Sequence, residues 1–130
     1  MQKREIFSSG TSWENIVGYS RAVKVGNVIE VSGTTAVDGD KVIGIGNVFD
    51  QAVFIFQKIE KTLTQAGSCL EDVVRTKMFV TDIKNWEQVA KAHALFFKDV
   101  KPATSMIEVS SLIDKQLLIE IEATAIICEQ

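Results

Sequence analysis

Two carboxylates, Glu120 and Glu122, stand at alternate positions in the last apolar run of the chain, residues 117–127. Side chains at alternate positions of a strand share one face, so the run predicts a strand with one apolar face and one mixed face. A carboxyl group in a half-dry setting has a raised pKa and suits general acid or base chemistry, and Glu120 is the candidate. The alternative is a structural carboxylate paired with a strand cation such as Arg75 or Lys77.

A second set of polar residues lies near the start of the chain. Tyr19 and Arg21 are two residues apart, and strict strand alternation would place both on one face. Tyr19 could hydrogen-bond a ligand there, and Arg21 could anchor an anion. Ser32 precedes Gly33, which would let a ligand approach the backbone beside a hydroxyl. The structural alternatives are a half-buried aromatic, a solvated arginine and a strand-ending turn.

Other residue types that often do chemistry lack the partners that they need. His93 is the only histidine and has no Cys, Asp or Glu at ligand spacing, so we expect a packing or surface residue. Cys69 and Cys128 are far apart and are predicted to be unbonded, inert thiols. The segment Gly44-Ile45-Gly46 lacks the Lys-Ser/Thr of a phosphate-binding loop. We therefore predict no metal site.

Length and charge exclude several classes of protein. The chain has 130 residues, which suits a single domain, 1–130, that can bury a core without disulfides or metals. Its formal net charge of −3 is not that of a dedicated nucleic-acid binder, so no nucleic acid is expected as a partner. No apolar run suits a membrane helix or a signal peptide, so no membrane association and a cytoplasmic location are predicted.

Strand and helix patterns alternate along the chain. Extended segments are predicted at residues 3–7, 20–25, 28–32, 41–45 and 71–81, with Gly26-Asn27 as a hairpin turn. Asn47 is predicted to cap a helix that runs to about Gln65, and Asn85 a second helix that ends at about Lys98. The alternating runs 101–109 and 117–127 predict a final pair of strands.

With the short edge segment 3–7 and the brief piece 41–45 left aside, the order is ββαβαββ, which predicts an α+β domain with one mixed sheet and two helices on one of its faces. Glu108, Glu120 and Glu122 would then share the helix-free face with Arg75 and Lys77. Burial of that face between copies of the chain would strengthen their pairing, because an unpaired buried charge is costly. A closed ring of subunits would bury the face in this way.

Short segments spread over almost the whole chain form a specific pattern: Val31-Ser32-Gly33, Gln65-Ala66-Gly67, Phe79-Val80-Thr81-Asp82, Pro102-Ala103-Thr104-Ser105 and Glu120-Ile121-Glu122-Ala123. In order and spacing they resemble the RidA/YjgF/UK114 family, also labelled L-PSP endoribonuclease or translation inhibitor. The resemblance implies a chorismate-mutase-like α+β fold and a homotrimer with ligand clefts between neighbouring subunits.

In the best-known members of that family, the reaction is hydrolysis of reactive imines or enamines, with release of ammonia and a keto acid and without a cofactor. By position, Tyr19, Ser32 and Gly33 match family cleft residues. Glu120 matches the carboxylate that activates or orients water. The partners that the resemblance implies are further copies of the chain and a small metabolite.

One position departs from the family pattern. The substrate-binding arginine of the family lies in a Pro-Ala-Arg-Ser motif, and Thr104 stands at that position here. An arginine fork binds a carboxylate with two charge-assisted hydrogen bonds, whereas threonine offers one neutral hydroxyl. Arg21 is the candidate replacement for this anchor, and Thr104 is expected to line the same cleft.

Three functions remain open at this point. The first is a trimeric deaminase that hydrolyses a small imine or enamine with water positioned by Glu120. The second is a trimer that binds a small metabolite without turnover, which the loss of the arginine favours. The third, RNA cleavage or translation inhibition, is disfavoured by the acidic balance of the chain.

Overall fold

The computed structural model describes residues 3–128. Within them, eight strands and three α-helices follow in chain order: β1 (Arg4–Phe7), α1 (Ser12–Val17), β2 (Ala22–Val25), β3 (Val28–Thr35), β4 (Val37–Asp38), β5 (Lys41–Val42), α2 (Val48–Gln65), β6 (Val73–Val80), α3 (Trp86–Phe97), β7 (Ala103–Glu108) and β8 (Ile119–Ile126). The order contains every predicted element and adds two that were not predicted, the short helix α1 and the two-residue strand β4.

The main sheet has six strands in the order β1-β2-β3-β8-β6-β7, and β4 and β5 form a separate hairpin. All neighbours in the main sheet are antiparallel except β6 and β7, which are parallel. The sheet is therefore mixed, as predicted. The last two strands do not pair with each other, contrary to our expectation, because α3 carries the chain over to the outer side of β6 and β8 returns on its inner side.

The core lies between the sheet and the two long helices. An apolar stripe of α2 is buried at Ile55, Phe56, Ile59 and Leu63. It packs on the alternate buried side chains of β8, which are Ile119, Ile121, Ala123 and Ala125. Asn47 caps α2 as predicted, since its side chain accepts a hydrogen bond of 3.0 Å from the backbone N–H of Asp50. Period-two and helical patterns thus identified the core correctly.

The opposite face of the sheet carries no helix, and we call it the open face. Arg75, Lys77, Glu120 and Glu122 lie there as predicted, because their strand neighbours in sequence point into the core. Glu108 does not. It is opposite Val80 in the register, and its Oε1 accepts a 3.0 Å hydrogen bond from the N–H of Ile83. Exposed apolar side chains flank the charged group: Val25, Val28, Ile107 and Ile126.

Candidate functional site

Glu120 lies in the middle of the sheet, on the central strand β8. Its Cα neighbours are Thr35 of β3 and Phe79 of β6, and its half-buried side chain points to the open face. Burial raises the pKa of Glu120, and the charge of Glu122 raises it further, whereas Arg21 acts in the opposite direction. The carboxyl group therefore holds a proton more readily than an ordinary glutamate does.

Gly33 provides the space that Glu120 occupies. The register of β3 against β8 shifts between Val31 and Thr34, so Ser32 and Gly33 form a β-bulge. A Cβ added to Gly33 would collide with Oε2 of Glu120 and would lie 3.0 Å from its Cδ. Glycine lets the carboxylate lie directly on the backbone of the bulge, and a side chain at this position would displace it.

Arg21 connects this bulge to the N-terminal part of the chain. Its Nη2 donates a 2.7 Å hydrogen bond to the carbonyl of Gly33, and its backbone N–H bonds the carbonyl of Phe7 at 2.8 Å. Burial lowers the pKa of Arg21, while Tyr19, Glu14 and Glu120 raise it. The Nε atom is buried and finds no acceptor within residues 3–128. The guanidinium therefore holds the bulge in place and supplies positive potential beside Glu120.

Tyr19 and Ser32 complete the set. The N–H of Tyr19 bonds the carbonyl of Glu14 at 3.0 Å, and the side chain is 38% exposed beside Arg21. The hydroxyl of Ser32 donates a 2.6 Å hydrogen bond to the carbonyl of Ser20. Because that proton is engaged, Ser32 presents oxygen lone pairs, which can accept from an N–H group. Five of the six predicted site residues therefore lie together: Tyr19, Arg21, Ser32, Gly33 and Glu120.

Thr104 is the exception. It is opposite Thr76 in the register of β7 and β6, and Thr76 is fully buried on the helix-covered side. The Thr104 hydroxyl contacts that of Thr76, which lies 2.9 Å from Nε2 of His93. Thr104 therefore lies on the opposite side of the sheet from Glu120 of the same chain, so a single copy does not bring the two into one cleft.

The alternative role for Glu120, an ion pair with a strand cation, does not match the register. Phe79 is opposite Glu120, and Lys77 is opposite Glu122. Arg75 donates a 2.8 Å hydrogen bond from Nη2 to the hydroxyl of Ser105. A depression of about 220 Å³ lies beside these residues on the open face, lined by Val23, Glu30, Val31, Ser32, Arg75, Lys77, Glu122, Ala123 and Thr124. Ser32 is the one predicted site residue in that lining.

Two residues that the sequence analysis did not single out support the site. Gln51 of α2 is fully buried; its Nε2 donates to the carbonyl of Gln116 at 2.9 Å, and its Oε1 accepts from the N–H of Leu118 at 2.8 Å. It thereby fixes the approach to β8 just before Glu120. A glutamine beside the apolar stripe of a helix was the signal that could have identified it.

Glu14 is the other such residue, and it is 6% exposed although it lies on the short helix α1. Its carboxylate accepts hydrogen bonds from the N–H and the hydroxyl of Ser9. Burial alone would raise the pKa of Glu14, but these bonds and the charge of Arg21 lower it. Glu14 therefore ties α1 and the following Tyr19 to the site.

The remaining groups behave more simply. His93 packs against Phe56 and Phe97, as the packing interpretation expected. Cys69 and Cys128 are both exposed and unbonded. Residues 3–128 contain no cluster of three or more His, Cys, Asp or Glu side chains that could hold a metal ion. In the same part of the chain, no helix has the length and apolar character to span a membrane.

The match to a known protein family spans all six predicted site residues. The family model described as endoribonuclease L-PSP matches residues 10–127. A RutC family protein of Pyrococcus abyssi is 34% identical over 126 residues, which are 96% of this chain and 98% of the relative.

Two solved structures show the same fold. A member of the YjgF/YER057c/UK114 family from Mycobacterium tuberculosis is 43% identical with a TM-score of 0.88, covering 96% of this chain and 100% of that one. A protein of unknown function of the conserved Rid family from Yersinia pestis is 28% identical with a TM-score of 0.83, at 96% and 100% coverage.

Proposed function

This chain belongs to the endoribonuclease L-PSP family, in which its relatives carry the names RutC, YjgF and Rid, and from this premise we propose that it hydrolyses a small imine or enamine. The reaction takes place at Glu120. One observation carries the proposal: the Glu120 carboxyl group is half buried, lies directly on Gly33 and has a raised pKa. A group that can exchange a proton is thus held at a place where a substrate can approach both the carboxyl group and the backbone.

The chemistry needs one group that first accepts and then donates a proton. Water adds to the carbon of the C=N bond, and the resulting carbinolamine loses ammonia to leave a carbonyl compound. Ionised Glu120 takes a proton from the water that attacks the protonated imine, which gives the neutral carbinolamine, and protonated Glu120 then delivers this proton to the amino nitrogen. As ammonia leaves and the carbonyl forms, the carbinolamine hydroxyl returns its proton to Glu120, from which ammonia carries it away as ammonium. An enamine enters the same sequence after protonation at carbon converts it to the imine. A carboxyl pKa raised towards the working pH suits both steps.

The neighbouring groups fit a small nitrogen-containing substrate. Ser32 presents lone pairs to a substrate N–H, because its own proton is engaged with Ser20. Arg21 offers positive charge to an anionic substrate group, and its bond to the carbonyl of Gly33 keeps the bulge in position. Tyr19 is partly exposed at the rim, where its phenol can contact the substrate.

We further propose that the cleft forms between copies in a homotrimer. Thr104 and Glu120 lie on opposite sides of one sheet, so a ligand that contacts both needs them from two different chains. Thr104 lies on β7, an edge strand, where a second chain can reach it. Exposed apolar side chains surround the charged group of the open face, which supports burial of this face against another copy. Val28 and Ile126 are among the side chains that such an interface would bury.

The direct test supplies 2-aminoacrylate from a dehydratase reaction and follows keto-acid release with and without the protein. We expect acceleration over buffer, and we expect Glu120→Gln to reduce it by about 100-fold or more while the molecular mass in solution stays that of the native assembly. Light scattering at micromolar concentration measures the assembly. Absence of acceleration by the native protein would refute the proposal for this substrate, and a monomeric mass would refute the inter-subunit cleft.

The second candidate function is binding of a small metabolite without turnover. Thr104 in place of an arginine favours it, and so does the hydrogen bond that already occupies Nη2 of Arg21. Both features leave less cationic hydrogen bonding for a substrate carboxylate. Calorimetric titration with keto acids, combined with the assay above, separates the two functions, because saturable binding without product release favours this one.

A further inference from the structure

Three polar side chains form a hydrogen-bonded row on the helix-covered side of the sheet, at its β7 edge. Thr104 is exposed, Thr76 is fully buried, and His93 of α3 is half buried. The hydroxyls of Thr104 and Thr76 are in hydrogen-bond contact, and Oγ1 of Thr76 lies 2.9 Å from Nε2 of His93. The row therefore runs from the surface to an imidazole ring.

Each member of this row has one proton to place, so the direction of one bond decides the next. When Nε2 of His93 is an acceptor, the Thr76 hydroxyl donates to it, and the Thr104 hydroxyl donates inward to Thr76. Thr104 then shows only lone pairs to the outside. When Nε2 carries a proton, it donates to Thr76, and the Thr76 hydroxyl turns to donate to Thr104. The Thr104 hydroxyl then points its own proton outward.

We propose that His93 is a positioning residue that sets the direction of this row, and that its protonation converts Thr104 from an acceptor into a donor for an anionic group of the ligand. One proton is added at Nε2, two hydroxyl protons rotate, and no other covalent bond changes. The inference rests on the proposed function in one respect, namely that Thr104 faces the ligand.

Within the described part of the chain, no charged group lies beside His93 to offset the effect of its own protonation. Its neighbours are Thr76 on β6, Phe56 on α2 and Phe97 on its own helix, with Thr104 of β7 beyond Thr76, and none of these carries a charge. Burial lowers the pKa of His93, and no charged group in residues 3–128 contributes to that shift. In the neutral ring with its proton on Nδ1, Nε2 accepts from Thr76, and acidification is then the event that reverses the row.

One competing acceptor lies within the row. The hydroxyl of Thr104 is also 3.2 Å from the backbone carbonyl of Thr76. Once reversed, the Thr104 proton can rest on this carbonyl, and a ligand carboxylate has to displace it. A hydrogen bond to a charged acceptor is stronger than one to a neutral carbonyl, so a carboxylate wins this competition and a neutral amide gains little.

The first experiment measures the row without any ligand. His93 is the only histidine in the chain, so its ring signals in long-range proton–nitrogen NMR spectra need no assignment by mutation. We expect Thr104→Val, a change at an exposed position, to shift the titration midpoint of the ring. The matched variant Ser105→Ala, at the next position of β7 on the other side of the sheet, is expected to leave it in place. An unchanged midpoint in Thr104→Val would overturn the inference.

The second experiment measures binding of pyruvate and of its neutral amide by calorimetry over the pH range in which the ring titrates. Protonation of Glu120 also favours an anion at low pH, so the comparison is between the native protein and His93→Phe. We expect the gain in pyruvate affinity on acidification to be about tenfold larger in the native protein, with no such excess for the amide. We also expect His93→Phe to bind pyruvate at neutral pH no more weakly than the native protein, since its hydroxyls are free to turn outward.

Equal pH dependence in the two proteins would overturn the inference, and so would an absence of pyruvate binding at every pH. Failure of the proposed function is seen separately, because the imine hydrolysis assay reports on Glu120. If the protein hydrolyses imines but His93 has no effect on anion binding, the proposed function stands and the proposed role of His93 is wrong.

Discussion

The Glu120 carboxylate occupies the space that a side chain on Gly33 would fill. The two residues come from adjacent strands, β8 and β3, and the bulge between Val31 and Thr34 brings them into contact. Arg21 holds the same bulge through the Gly33 carbonyl at 2.7 Å. A single local irregularity in the sheet therefore positions the acid, the cation and the backbone together.

Substitution of this glycine tests the contact. Gly33→Ala places a methyl group on Oε2 of Glu120, so we expect a loss of about 1–3 kcal/mol in the free energy of unfolding, together with a large loss of activity. Urea denaturation measures the first effect. The double variant with Glu120→Ala is expected to recover most of the stability, because the clash is gone. Additive losses in the double variant would show that the two side chains do not compete for space.

The charges around Glu120 predict the pH profile of activity. Because ionised Glu120 must accept the first proton, we expect kcat/KM to rise with pH through the raised pKa of this carboxyl group. Arg21→Gln removes the charge that lowers this pKa, so the midpoint should move to higher pH. Glu122→Gln removes a charge that raises the pKa, so the midpoint should move to lower pH. Arg4→Gln, on the outer strand β1, is a control for net charge and should leave the midpoint in place.

Stability should depend on Glu120 in the sense opposite to that of most acidic residues. Its pKa is raised in the folded state, so ionisation costs stability, and the cost appears as pH rises from the unfolded value of about 4.3 through the folded one. We expect Glu120→Gln to be the more stable protein at neutral pH and the difference to vanish at pH values below both pKa values. Urea midpoints from acid to neutral pH measure it. If the native protein instead became more stable relative to Glu120→Gln as pH rises, the raised pKa of this buried group would be contradicted.

Gln51 predicts a distant effect on the site. Gln51→Leu preserves the approximate volume but leaves the N–H of Leu118 and the carbonyl of Gln116 unpaired, so we expect a loss of about 2–4 kcal/mol in unfolding free energy. Activity should fall too, because β8 loses its fixed approach before Glu120. Gln57→Leu, on an exposed position of the same helix, is the matched control and should change stability little.

Local patterns were sufficient for most of the architecture. Alternation identified the buried face of β8, and the Gly26-Asn27 turn, the Asn47 cap and the apolar stripe of α2 each depend on residues close together in sequence. The short helix α1 was missed because its apolar residues, such as Ile16, are exposed and form no stripe towards the core. A helix of that length is stabilised by Glu14 and Gly18, not by burial.

The sequence by itself determined the α+β class, the face on which Glu120 and Glu122 lie, and the family pattern around Tyr19, Ser32 and Gly33. Only the tertiary structure decided which strands are neighbours, that Gln51 supports β8, and that Thr104 lies across the sheet from Glu120. The physical reason is that alternation fixes a face within one strand but not the order of strands. That order depends on crossovers such as α3, which bring distant segments together.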